Sequence, residues 1–176
     1  MSYYYLISSL PGISLDAKPA LSMEAFRSIC ADQLSERDAE ALNSVLDIDS
    51  KPINHDFVNV WMARETQLRN AAARLRAAKH QKDALDFMRE HSGFDVSIED
   101  SVEEAFNHPS PLEREKALDK IRWTTMNELA GTDPFSVNAV LAYAVQLSLA
   151  ERWAAMDQDQ GQTKIELAIV NIKDEV

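Results

Sequence analysis

The sequence has few of the residues from which compact binding motifs are built. It contains one cysteine and four glycines, and each glycine falls in a predicted break between segments. The glycines do not cluster, which argues against a phosphate-binding loop of the Walker or Rossmann type. The single cysteine, Cys30, cannot form an internal disulfide and therefore suits a reducing compartment.

Residues with catalytic or metal-binding chemistry are also sparse. The four histidines are scattered, with no H-E-x-x-H spacing and no pairing with cysteine. Cys30 falls on a predicted apolar face without a basic neighbour, so we expect a buried structural thiol rather than a nucleophile. Without a nucleophile–base pair, metal spacing or glycine loop, the sequence predicts a non-enzymatic protein with no cofactor and no metal.

Positive charge is in short supply. Eighteen lysines and arginines stand against 29 acidic residues, a net charge of −11. This balance argues against binding to nucleic acid or to anionic membranes, both of which favour a basic surface. No basic segment followed by an apolar run opens the sequence, so we expect no signal peptide and a cytoplasmic protein, at most peripheral to a membrane.

One stretch, Phe135–Ala150, has no charged residue at all. Placed on a helix together with the residues up to Met156, its apolar side chains surround the axis, which is typical of a membrane span or of a helix at the centre of a core. The uncharged run is shorter than the ~18–20 residues of a span, and Asn138, Gln146 and Ser148 interrupt it. We therefore predict a central core helix near residues 136–157.

The remaining chain indicates helices. Residues 3–8 fit either a short strand or a helix that groups Tyr3 with Leu6, and Pro11-Gly12 ends this segment. Ser22 and Ser35 are predicted caps of two short helices, taken to form a hairpin. The longest predicted helix is Asp56–His80, followed by a weaker helix at 82–90 and a short helix capped by Ser97. A further helix is predicted from the capping box Ser110–Glu113 to Ala130, and a last one near residues 163–170.

These segments predict an all-α protein, an irregular bundle of seven to nine helices around the central helix. The chain is expected to be a single domain, 1–176, with a subdivision into 1–91 and 110–176 as the alternative.

The long helix is the one basic segment of this acidic chain. Residues 64–82 carry six basic residues and one acidic residue, a net +5 that leaves −16 for the rest. On a helical wheel Arg69 and Arg76 fall together beside the apolar stripe, Glu65 lies one turn before Arg69, and Arg64 falls within the stripe.

Two interpretations of this strip remain open, and the first is favoured. Arginines close to a core are normally paired within the chain, because an unpaired buried charge is too costly. The alternative is a cationic contact strip for an acidic protein partner, and a phosphate or RNA site is the least favoured. The candidate site, as protein-contact strip or structural ion pairs, comprises Arg64, Glu65, Arg69, Asn70 and Arg76.

Four segments carry a family resemblance. They are Phe57-x3-Trp61-x3-Glu65-x2-Leu68-Arg69-Asn70-x3-Arg74-Leu75-Arg76-Ala77; Tyr3-Tyr4-Tyr5-Leu6 with Ser9-Leu10-Pro11; Leu118-Asp119-x2-Arg122-Trp123; and Leu141-Ala142-Tyr143 with Glu151-Arg152-Trp153. Together they resemble a small bacterial family whose genes accompany V-type ATPase operons and whose members are similar to the rotor-stalk C-type component of that enzyme.

The resemblance implies a non-catalytic helical protein. The rotor-stalk component couples the central shaft of the rotor to the membrane ring of proteolipid subunits, so the implied partners are these subunits of a V/A-type ATPase.

Overall fold

The computed structural model describes residues 2–156, which form seven α-helices and one short 3-10 helix. No strand occurs within these residues, so the all-α prediction is confirmed. The helix predicted near residues 163–170 lies outside the described part of the chain. The α-helices are α1 (Tyr4–Ser9), α2 (Met23–Ala31), α3 (Glu36–Leu46), α4 (Asp56–Lys79), α5 (Val96–Phe106), α6 (Pro111–Ala130) and α7 (Val137–Ala155).

The ambiguous first segment is helical, so the alternative of a short strand is wrong. Helical spacing places Tyr3 and Leu6 on one face, and both are buried, Leu6 completely. The backbone N–H of Tyr3 also donates a 2.7 Å hydrogen bond to the carbonyl oxygen of Phe135. Burial of this face therefore decides between the two periodicities.

Helix α7 lies at the centre of the molecule, as its uncharged sequence predicts. The hydroxyl of Ser136 caps it by accepting a hydrogen bond from the N–H of Ala139. Its buried residues surround the axis, and both Leu141 and Leu147 have no exposed area. Helices α2, α3 and α6 pack against it, so α2 and α3 are neighbours of α7 rather than chiefly of one another.

Helix α4 begins and ends within a residue of its predicted limits, but its buried face differs from the predicted stripe. Helical periodicity places Val60 and Ala78 in the stripe, but both are exposed, whereas Val58 and Ala77, outside it, are buried. The first half of α4 contributes to a core with α3 and α7, and its second half packs against α5. Because the partner changes along the helix, one straight stripe cannot describe what is buried.

The prediction of a helix at residues 82–90 is wrong. Only Leu85–Phe87 form a single 3-10 turn, and the side chains of Leu85 and Phe87 are largely exposed. The next helix is capped by Asp95, two residues before the predicted Ser97, because the Asp95 carboxylate accepts from both the N–H and the hydroxyl of Ser97.

The apolar residues form two clusters. The larger one joins α1, α2, α3 and α7 with the start of α4, and the smaller one lies between the second half of α4, α5 and the first half of α6. Leu68 and Leu118 belong to the smaller cluster, whereas Trp61 and Met126 belong to the larger one. Helices α4 and α6 thus span both clusters, and the division into 1–91 and 110–176 stays a prediction.

Within residues 2–156, none of the helices combines the length and apolar character needed to cross a membrane.

Candidate functional site

A buried carboxylate on α4 is held by two arginines. Glu65 is only 3% exposed. It accepts hydrogen bonds from Arg122 through Nε at 2.8 Å and Nη2 at 3.0 Å, and from Nε of Arg69 at 2.7 Å. The two bonds from Arg122 form the bidentate fork that favours arginine over lysine at such positions. Glu65 therefore joins α4 to α6.

A second carboxylate, Asp119 on α6, is completely buried. It accepts from Nη1 of Arg122 at 2.8 Å and from the indole Nε1 of Trp153 at 2.7 Å, and Nη2 of Arg152 also donates to it. The guanidinium of Arg122 thus lies between two carboxylates and binds both. We call Glu65, Arg69, Asp119, Arg122, Arg152 and Trp153 the buried ion network.

The buried ion network connects α4, α6 and α7. A buried carboxylate without partners would be strongly destabilising, and each carboxylate here has at least three donated hydrogen bonds. Three guanidinium groups and two carboxylates leave the network with one net positive charge.

The other arginines of α4 are also paired. Arg64 binds Glu128 at 2.8 Å and lies 3.6 Å from Asp95, and Arg76 binds Glu115 at 2.8 Å. Arg74 pairs with Glu99 on α5. The basic strip of α4 therefore faces acidic residues of the same chain, which favours the intrachain interpretation over a free cationic surface.

Asn70, a predicted site residue, has a structural contact instead. Its buried amide donates to the carbonyl of Arg89 at 2.7 Å and accepts from the N–H of the same residue at 3.0 Å. Gln67 makes the same pair of bonds with the backbone of Asp95, at 2.8 Å and 3.0 Å. These two amides bind the backbone of the connection between α4 and α5 at Arg89 and at Asp95.

A cavity of about 180 Å³ lies beside the buried ion network. Its polar wall combines the three arginines of the network with Glu65 and the exposed Ser148. Its apolar wall is formed by Val45, Leu46, Ile48, Trp61, Val145 and Leu149.

The remaining reactive groups have structural surroundings. Cys30 is 1% exposed, and burial raises the pKa of its thiol to about 11, which fits the predicted structural thiol. Burial, followed by the nearby Arg37, lowers the pKa of His55. In the described part of the chain, no three His, Cys, Asp or Glu side chains come together as a metal site would require.

The structure brings two of the five predicted site residues, Glu65 and Arg69, into the network and places the other three elsewhere on α4. Sequence reasoning about the site missed Asp119, Arg122, Arg152 and Ser148. The i, i+3 spacing of Asp119 and Arg122 was a usable signal, since such a pair shares a helix face. The contact between Arg122 and Glu65 spans 57 positions and has no local signal.

Comparison with known proteins gives a family match over part of the chain. Residues 96–176 match a family model described as a protein of unknown function, DUF2764. The match begins with the first residue of α5 and includes α6 and α7. No curated protein and no solved structure matches the chain.

Proposed function

We propose that the protein is a non-catalytic subunit or accessory protein of a bacterial V/A-type ATPase, similar to the rotor-stalk component that couples the central shaft to the proteolipid ring. The observation that carries the proposal is the meeting of three separate resembling segments in one place. Each segment supplies two members of the buried ion network: Glu65 and Arg69, Asp119 and Arg122, and Arg152 and Trp153.

The resembling segments therefore belong to one structural unit of this chain rather than being isolated motifs. The three segments lie on α4, α6 and α7, far apart in sequence, and their network residues contact one another around the two buried carboxylates. A protein similar to a rotor-stalk component is expected to act through its surface and to use its charged interior to fix the helices.

We assign the contact surface to an exposed apolar groove. Phe94 and Val96 are 67% and 60% exposed, and with Val60 of α4 they line a groove of about 490 Å³. Large exposed apolar side chains grouped together are typical of protein contacts. The α4 arginines are weaker candidates because carboxylates of this chain already bind them.

The test is capture of the tagged full-length protein from its native host in mild detergent, with mass spectrometry of the ATPase shaft and proteolipid subunits. We expect both to be enriched. Phe94→Ser should reduce their recovery several-fold with little change in melting temperature, because the side chain is mostly in solvent. Tyr5→Ser is the matched control, since Tyr5 is 85% exposed and belongs to α1.

Two results would count against the proposal. Absence of ATPase subunits from the captured fraction contradicts the function itself, and equal recovery with Phe94→Ser contradicts the contact surface. The alternative, a cytosolic adaptor that binds an acidic protein through α4, predicts that Arg69→Gln with Arg76→Gln removes a different captured protein while Phe94→Ser does not.

A further inference from the structure

The cavity beside the buried ion network has more hydrogen-bond donors than the network uses. Arg69 reaches Glu65 through Nε alone, and Arg152 reaches Asp119 through Nη2 alone. Within residues 2–156 no carboxylate or carbonyl oxygen accepts from the remaining donors of these two side chains. Both side chains are about half exposed, at 52% and 44%, so their ends reach solvent at the cavity.

The charge of the site favours an anion. Among the described residues that line the cavity, Glu65 is the one acidic side chain and stands against three arginines, and with Asp119 included the network keeps one net positive charge. Arg122 uses all three of its nitrogens on Glu65 and Asp119, so the nitrogens without an acceptor in the network are those of Arg69 and Arg152. The surplus positive charge therefore lies on the Arg69 and Arg152 side of the network.

We propose that this cavity binds a small free oxyanion, a phosphate or carboxylate group held by Arg69 and Arg152, with Ser148 as a further donor. Planar guanidinium groups bind such oxygens in pairs, which suits both anions. The volume of about 180 Å³ is below the ~300 Å³ at which pockets for larger small molecules begin, so a single oxyanion group fits better than a nucleotide. The inference is independent of any ATPase association.

The structure supplies built-in reporters for the test. The indole of Trp61 lines the cavity, and the indole N–H of Trp153 donates to Asp119 in the network. Trp123 lines a different depression, beside Leu15 and Lys120, and serves as the internal control. The three indole N–H signals of the ¹⁵N-labelled full chain would be followed by NMR during titration with inorganic phosphate or with acetate, each against sodium chloride at matched ionic strength.

We expect saturable shifts of the Trp61 and Trp153 signals with at least one of the two anions, and none for Trp123. Arg69→Gln combined with Arg152→Gln should weaken binding about tenfold or more, since two charge-assisted contacts are lost. Arg74→Gln combined with Arg76→Gln removes the same charge from exposed ion pairs outside the cavity and should leave binding nearly unchanged.

A second variant keeps the test valid if the double change in the network unfolds the protein. Ser148→Leu leaves every charge in place and narrows the cavity from an exposed position, so it should also weaken binding. A response to phosphate alone assigns the site to phosphate, and a response to acetate alone assigns it to carboxylates. The proposal would be overturned if neither anion caused a saturable shift beyond that of chloride. It would also be overturned if the wild type, the Arg69→Gln with Arg152→Gln variant and Ser148→Leu bound the anion equally.

Discussion

At the scale of single residues, Arg122 links α4 to α6. One guanidinium donates to two buried carboxylates, Glu65 in a bidentate fork and Asp119 on its own helix. Lysine has a compact ammonium group and cannot span both acceptors in this geometry. The sequence shows the Asp119–Arg122 spacing, but nothing local indicates that Glu65 is the third member, because that contact depends on the packing of distant helices.

His55 should make stability depend on pH. Its imidazole is buried at the start of α4, and burial, aided by Arg37, lowers its pKa below the usual value of about 6.5. Below that pH the unfolded chain binds more protons than the folded one, so the free energy of unfolding should fall as the pH drops from about 7.5 to about 5.5.

His55→Gln should reduce this slope, and the measurement is denaturant unfolding at a series of pH values. His108→Gln is the control, because His108 is exposed. An identical pH slope for wild type and His55→Gln would show that His55 keeps the same proton affinity in both states.

At the scale of helices, boundaries set by local chemistry are the part that sequence predicts best. The predicted caps Ser22, Ser35 and Ser110 each accept a hydrogen bond from the N–H three residues on. Ser136 does the same at the start of α7. The prediction of a helix at residues 82–90 failed because the segment's contacts are not local. Within it, the backbone of Arg89 is bound by the amide of Asn70, and a backbone partner carries no sequence signature.

Truncation within α7 tests its central position. Leu141 and Leu147 have no exposed area, so Leu141→Ala or Leu147→Ala should lower the free energy of unfolding by about 2–5 kcal/mol through lost burial and an unfilled cavity. Chemical denaturation followed by circular dichroism provides the measurement. Leu112→Ala, at a half-exposed position near the start of α6, should cost much less. Losses under about 1 kcal/mol at both core positions would make α7 a peripheral helix.

At the scale of the whole molecule, the two apolar clusters are joined by shared helices. Helices α4 and α6 contribute to both, and the buried ion network lies where they meet α7. All-α class and helix order could be predicted from capping and periodicity, because each signal lies within a few residues. The division of the core could not, since it depends on which half of α4 faces which neighbour.

The shared helices should make residues 2–156 unfold as one unit. Trp61, Trp123 and Trp153 all belong to or pack on the larger cluster, so tryptophan fluorescence reports on that cluster, whereas far-UV circular dichroism reports on every helix. We expect the two denaturation curves to have the same midpoint, as in two-state unfolding. If the loss of helical signal had a higher or lower denaturation midpoint than the fluorescence change, the two clusters would unfold separately. That result would support the subdivision near residues 91–110.

The buried ion network links α4, α6 and α7. The free energy of unfolding of Asp119→Ala tests this link most directly. This change leaves Arg122, Arg152 and the Trp153 indole without a shared acceptor in the interior. The predicted loss is about 3–5 kcal/mol, the range for breaking a buried ion pair from one side. Asp49→Ala removes a carboxylate from an exposed pair with Arg89 and should cost under about 1 kcal/mol. An Asp119→Ala loss no larger than that of Asp49→Ala would contradict this account.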